Sequence, residues 1–257
     1  MLPASLGSIG EYGFLGCKAL TSIELPAALT EIGVSAFNGC SAMACDVNIP
    51  DGVTAIPDGA FDQSGITGIT LGKNVKTVGR KAFYNCQNIL SITLNEGLTE
   101  IGEMGFFNCS KIKELELPAS LQEIKHETFR NVVFEEITCL AVTPPSIRDN
   151  TFTDYSAHLC VPAESMAAYA AATGWKEFSN IGDLTTSGVS AVAGDGVSVA
   201  VCDGRICVDG VGETEMIKVY STGGMLVGMG LNRQVEVPSP GVYIVEFKKG
   251  TVKVAIR

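Results

Sequence analysis

Apolar and polar residues in this chain follow one order, about 23 residues long, that returns six times. Segments open at Leu2, Leu25, Ile49, Leu71, Leu94 and Leu117, at nearly even intervals. Their shared pattern is L-P-x-x-L-x-x-I-G-x-x-A-F-x-x-C-x-x-L-x-x-I-x. Phenylalanine stands at Phe14, Phe37, Phe61, Phe83, Phe106 and Phe129, and an aliphatic residue precedes each by five, at Ile9, Ile32, Ile56, Val78, Ile101 and Ile124. A unit this short cannot enclose its own apolar side chains. Stacking sets equivalent positions about 4.8 Å apart and merges them into one core, so the pattern predicts a solenoid.

Within each unit, stretches such as Leu20 to Leu25 alternate apolar and polar residues and predict a short strand in a parallel ladder, polar side chains outward. The I-G-x-x-A-F-x-x-C part is too short for a stable helix and predicts a turn or short helical segment, with Phe and Cys inside. Cys17, Cys40, Cys86 and Cys109 share one position, which Ser64 and Val132 fill in the other units. A site that accepts Ser or Val selects for size, so these thiols read as a buried reduced ladder in preference to disulfides between neighbouring units. Zinc is disfavoured because no CxxC pair or nearby His completes four ligands. Cys202 and Cys207, five apart around Gly204, read as cross-strand neighbours without a bond in preference to a bridge.

The outward positions of the ladder are Ser22 and Glu24, Asp46 and Asn48, Gly68 and Thr70, Ser91 and Thr93, Glu114 and Glu116, and Glu136 and Thr138. This strip is polar, short in side chain and acidic at both ends. Extended solenoid faces of this kind bind partners, while the plain alternative is a solvated sheet face.

Beyond the last unit the pattern changes. Ala141-Val-Thr-Pro-Pro-Ser-Ile147, Phe152-Thr153, Leu159-Cys-Val-Pro-Ala163 and Tyr169-Ala-Ala-Ala-Thr-Gly-Trp-Lys-Glu-Phe178 resemble the usual terminal unit of BspA-like leucine-rich repeat arrays. In it Pro144-Pro145 stops the ladder, Ala163 to Thr173 forms a capping helix closed by Gly174, and Trp175 and Phe178 cover the last core face. After the linker Leu184-Thr-Thr-Ser-Gly-Val-Ser190 come seven strand-like runs: Val197 to Cys202, Arg205 to Val208, Met216 to Tyr220, Met225 to Met229, Gln234 to Val237, Val242 to Lys248 and Thr251 to Ile256. The prediction is a mainly β chain with short helical turns, a solenoid over 1–183 with a capping unit at 139–183, and a small β-sandwich over 191–257.

The repeat, most specifically its terminal unit, resembles the BspA-like leucine-rich repeat family of bacterial surface proteins across roughly residues 2–181. That resemblance implies a right-handed leucine-rich repeat solenoid on a secreted or surface-exposed protein associated with adhesion, with no catalytic residues in the repeat. Ile217-Lys-Val-Tyr-Ser-Thr-Gly-Gly-Met-Leu-Val227, Pro240-Gly-Val-Tyr-Ile-Val-Glu-Phe247 and Lys253-Val-Ala-Ile-Arg257 are similar to the C-terminal sorting domains of type IX secretion cargo of Bacteroidetes. Export signal, anchor and structural cap all stay open for this part.

A net charge of -10, from 28 acidic and 18 basic residues, opposes nucleic acid and anionic lipid as partners. No run of 18 apolar residues exists to insert into a membrane, and Met1-Leu2-Pro3 lacks the features of a signal peptide. Because residue 2 already lies inside a unit, the expectation is a fragment whose leader and N-terminal cap have been removed. Only His126 and His158 are available as a catalytic base; His126 reads as a solvated turn residue, and His158 carries no HExxH-like spacing. The glycines of Thr222 to Gly230 lack a following Gly-Lys-Ser/Thr and read as a hairpin, and Asp195-Gly196 and Asp203-Gly204 read as turns, not calcium loops. The sequence thus predicts no enzyme, no cofactor and no metal, and an extracellular or cell-surface interaction protein whose partner is a host matrix or cell-surface protein or a glycan. Its rival is a spacer or display stalk of a larger surface protein, with the C-terminal part used for export or anchoring.

Overall fold

In the computed structural model, residues 2–148, 150–184, 198–202, 205–209, 216–221, 226–230, 234–236, 241–247 and 250–256 are described. They form two compact units, Met1–Ile181 and Gly182–Arg257.

The first unit is built on its phenylalanines. Phe14, Phe37, Phe61, Phe83, Phe106 and Phe129 stack face to face with centroids 5.2, 5.1, 5.4, 4.8 and 5.6 Å apart, and Phe152 adds a further ring 5.4 Å on. One turn of chain per ring makes Phe152 the mark of a seventh coil. Each of the six repeat Phe, from Phe14 to Phe129, is flanked, two positions before and two after, by left-handed backbone, for example Ser35 and Gly39 around Phe37, Lys81 and Asn85 around Phe83, Met104 and Asn108 around Phe106. Those two reversals turn the chain inward and out again. The segment is therefore a pair of turns, with Gly or Asn favoured at the second because they reach positive φ most cheaply.

Two parallel ladders hold the coils in phase. One runs through the outward-facing strands Asp46–Asn48, Gly68–Thr70 and Ser91–Thr93, and through Glu114–Leu117, Glu136–Cys139 and His158–Val161. Asn180–Asp183 is the last strand of that second sheet. The other ladder, not foreseen from sequence, uses the two-residue strands that carry the aliphatic column: Ser8–Ile9 with Glu31–Ile32, then Ala55–Ile56, Thr77–Val78, Glu100–Ile101 and Glu123–Ile124. Between the ladders the turns bond coil to coil as well; the Phe37, Phe61 and Phe83 amides donate to Ala60, Ala82 and Gly105 in the next coil, each within 2.8 Å. Ser22–Leu25 departs from expectation, since it forms no strand. Pro144-Pro145 does not end the ladder either. It interrupts one coil, and the chain returns to the sheet at His158.

The cysteine column is buried and reduced where coils lie on both sides. Cys40, Cys86 and Cys109 donate their S–H to the carbonyls of Phe14, Phe61 and Phe83 in the preceding coil, at 3.1, 2.9 and 3.1 Å, and Ser64 Oγ meets Cys86 Sγ at 3.3 Å. Cys17, in the first coil, is exposed. Burial raises the three buried thiols above the usual value of 9.0, Cys86 to about 12.

At the other end, the 3-10 turn Ala163–Ser165 leads into the helix Met166–Ala171, and Gly174 takes φ +80. Tyr169 and Trp175 are fully buried; the Tyr169 hydroxyl donates to Ala141 O (2.7 Å) and the Trp175 indole to Pro145 O (2.7 Å). Trp175 and Phe178 lie against Phe152 at 5.8 and 5.4 Å, closing the ring column.

The second unit has seven strands among the described residues, all paired antiparallel. Ser198–Cys202, Arg205–Asp209 and Gln234–Glu236 form one sheet, and Leu226–Gly230, Ile217–Ser221, Gly241–Phe247 and Gly250–Ile256 the other. Val208, Ile217, Val219, Val235 and Val245 are buried. Cys207 opposes Ala200 and Cys202 opposes Arg205, so the two cysteines are not direct partners in the register. The turn residues at 195–196, 203–204 and 222–225 lie outside the described residues.

Because the ring column is continuous, Phe83→Ala should cost about 3–5 kcal/mol in denaturant unfolding. Phe14→Ala should cost distinctly less, since its ring has a neighbour on one side only. Alkylation of the native protein near neutral pH, mapped by mass spectrometry, should modify Cys17 rapidly and leave Cys40, Cys86 and Cys109 intact. The buried Cys86 thiol keeps its proton in the folded state while the unfolded chain releases it near pH 9.0, so stability should be level below that pH and fall from there towards about 12. Cys86→Ser, an exchange that copies Ser64, should remove that increment of the slope in melting curves taken across the window.

Candidate ligand-binding face

The ladder register fixes where the outward residues stand. Asp46, Gly68 and Ser91 occupy one row and Asn48, Thr70 and Thr93 the next. Glu114, Glu136 and His158 continue as a row of the second sheet, with Glu116, Thr138 and Cys160 beside them. Neighbours within a row are separated by the inter-strand spacing, about 4.8 Å, so a partner meets an array fixed in both directions.

Of the residues expected on this face, Ser22, Glu24, Asp46, Asn48, Thr70, Ser91, Thr93, Glu114 and Glu116 are exposed. Gly68 and Thr138 are buried and Glu136 is half-buried. At Gly68 a Cβ would stand 2.8 Å from Asp46 Oδ1 and 3.0 Å from Ser91 Oγ, so the missing side chain is what lets those two groups close over the strand. Asp46 is further held by the Thr67 hydroxyl, 2.6 Å from Oδ1.

At the N-terminal end the face opens. Residues 22–25 form no strand, and Ser22 and Glu24 line, together with Asp46 and Asn48, a cavity of about 790 Å³. Leu2, Phe14, Leu20, Leu25 and Cys45 give it an apolar floor, and the two carboxylates stand at its rim.

At the C-terminal end two residues outside the predicted face join the array, His158, to which the sequence reading assigns no role, and Cys160. His158 and Cys160 sit in the strand His158–Val161, where Nδ1 of His158 lies 4.0 Å from Glu136 Oε2 and 3.4 Å from Cys160 Sγ. One signal was available: H-x-C at 158–160 follows E-x-T at 136–138 by the same interval at which E-x-T follows E-x-E at 114–116. His126, the other histidine, lies away from this array, with Nε2 3.4 Å from Asn150 Nδ2 and 3.8 Å from Glu127 Oε1. Glu127 is buried and is bridged by Arg130, which gives it a structural partner.

The repeat, its ring column and its ladder match a family model described as the BspA type leucine-rich repeat region, in six copies over residues 1–48 and 44–158. The chain belongs to the BspA-type leucine-rich repeat family. Among solved structures, a leucine-rich repeat protein of T. pallidum is 25% identical over 52% of this chain and 67% of its own, with a TM-score of 0.47. One from Bacteroides capillosus is 30% identical over 37% of this chain and 75% of its own (TM-score 0.35). A leucine-rich cell surface protein of Faecalibacterium prausnitzii is 22% identical over 71% of this chain (TM-score 0.41), and this chain spans about half, 52%, of its length. No curated protein matches the chain. Solenoids of the leucine-rich repeat kind act in general as binding scaffolds, and among the described residues no helix is long and apolar enough to cross a membrane.

Proposed function

We propose that this BspA-type array is an interaction module of a secreted or cell-surface protein, which holds a protein or glycan partner across its outer ladder face without catalysing a reaction on it. The observation that carries this reading is the exposed polar array from Ser22 to Glu116, set on a scaffold whose coils are locked in phase by rings and hydrogen bonds. Short side chains such as Ser91, Thr70 and Thr93 have little rotamer freedom to lose, so a partner that hydrogen-bonds to them meets a small ordering cost. The acidic rim of Glu24 and Asp46 favours a partner with basic or hydroxyl donors and repels phosphate. Host matrix proteins, cell-surface proteins and neutral glycans fit that description. The C-terminal unit is read as a small sandwich serving export or anchoring, supported by the similarity of residues 217–227, 240–247 and 253–257 to sorting domains.

A solid-phase screen of the full chain against matrix proteins and glycans should return a saturable partner. Ser91→Arg with Thr93→Arg, in the middle of the face, should then weaken it at least about 10-fold with the melting temperature unchanged. Unaltered affinity would move the partner off the ladder. Deleting residues 186–257 in the native host should abolish surface display, and a truncated protein that still reaches the surface would remove the export role.

A further inference from the structure

Cys160 is fully buried, yet it stands outside the apolar core that takes in its neighbours Leu159 and Val161. It belongs to the outer side of the ladder, and His158, two positions earlier in the same strand, shares that side. Register then brings Glu136 alongside His158. The result is one sulfur, one ring nitrogen and one carboxylate oxygen, each from a different residue type, all within 4.8 Å of one another.

We propose that Glu136, His158 and Cys160 bind a divalent transition-metal ion of the zinc class, with the fourth coordination position left open. Zinc bonds of about 2.0–2.3 Å at tetrahedral angles place donor atoms about 3.4–3.6 Å apart. Cys160 Sγ stands 3.4 Å from His158 Nδ1 and 3.9 Å from Nε2, so the donor spacing suits a shared ion once the ring turns to aim a nitrogen lone pair at it, and the His158 Nδ1 to Glu136 Oε2 distance, 4.0 Å, needs only a small swing of a carboxylate that is 42% exposed. Thiolate and imidazole select a borderline or soft ion, whereas calcium and magnesium take shells of oxygen. The neighbouring strand contributes Glu114 beside Glu136 and Glu116 beside Thr138, and their negative charge concentrates cations at this end of the face. Three protein ligands leave room for water or for a donor group from a partner. The metal would also tie the strand Glu136–Cys139 to His158–Val161, joining the last regular coil to the capping unit.

The site stands on its own geometry and does not depend on the partner-binding reading. Its test uses the reduced, untagged full chain titrated with Co2+ alone and then displaced with Zn2+. One equivalent of Co2+ should bind with a thiolate-to-metal charge-transfer band in the near ultraviolet, and Zn2+ should bleach it. Cys160→Ser should abolish the band. His158→Ala and Glu136→Gln should each weaken affinity beyond the about 10–100-fold that loss of a mere supporting residue costs. Zn2+ should raise the melting temperature of the parent protein and not of the three variants. Glu136→Gln changes a half-exposed group isosterically, so it keeps the test decisive if Cys160→Ser fails to fold. Cys17→Ser, which removes an exposed thiol elsewhere, should leave binding intact. Absence of stoichiometric binding overturns the proposal, and so does binding that survives His158→Ala and Glu136→Gln, which would mark a lone thiol or a site elsewhere in the chain.

Discussion

Everything in the repeat unit depends on the coils staying in phase. If one coil slipped by a single position relative to the next, its Phe would leave the ring column and each ladder strand would turn its apolar side outward. Rings 4.8 to 5.6 Å apart, two ladders and the turn amides all impose the same offset, so they reinforce one another instead of acting as separate contacts. The energy is collective: a buried ring touching rings on both faces is worth more than its area alone.

That constraint explains the chemistry of the interior. A thiol fits the Cys column because it is small, tolerates apolar surroundings and can still donate to a carbonyl of the preceding coil; Ser is small but more polar, and Val is apolar but has no donor. Thr128 solves the same problem for a hydroxyl in the Ala column, donating to Gly102 O and Lys125 O at 3.0 and 2.8 Å. The cap follows from the same logic, because a column that simply stopped would leave Phe152 exposed. Tyr169, Trp175 and Phe178 close over that end, and the polar atoms of Tyr169 and Trp175 are satisfied by local carbonyls.

Phase also makes the outer face usable. Rows of side chains separated by one strand spacing are laid down by the same register that aligns the core, so a polar array comes with the fold. The two ends of the face differ because the repeat is imperfect there. At one end Ser22–Leu25 leaves the ladder and a cavity opens; at the other, the terminal coil replaces acidic and hydroxyl residues with His158 and Cys160.

Much of this was legible in the chain. A strict single-coil period determined the solenoid, the ring and thiol columns and the outward row, because each of these follows from which positions recur, and glycine-bounded alternation marked the seven C-terminal strands. What recurrence does not encode is contact between positions that stop recurring. The second ladder rests on two-residue strands, too short for a periodic signal, and the cavity at Ser22 lies where the expected strand does not form. Glu136 lies a full coil away in sequence from His158 and Cys160, in a segment of different composition, and only the parallel register of folded strands brings their donor atoms together.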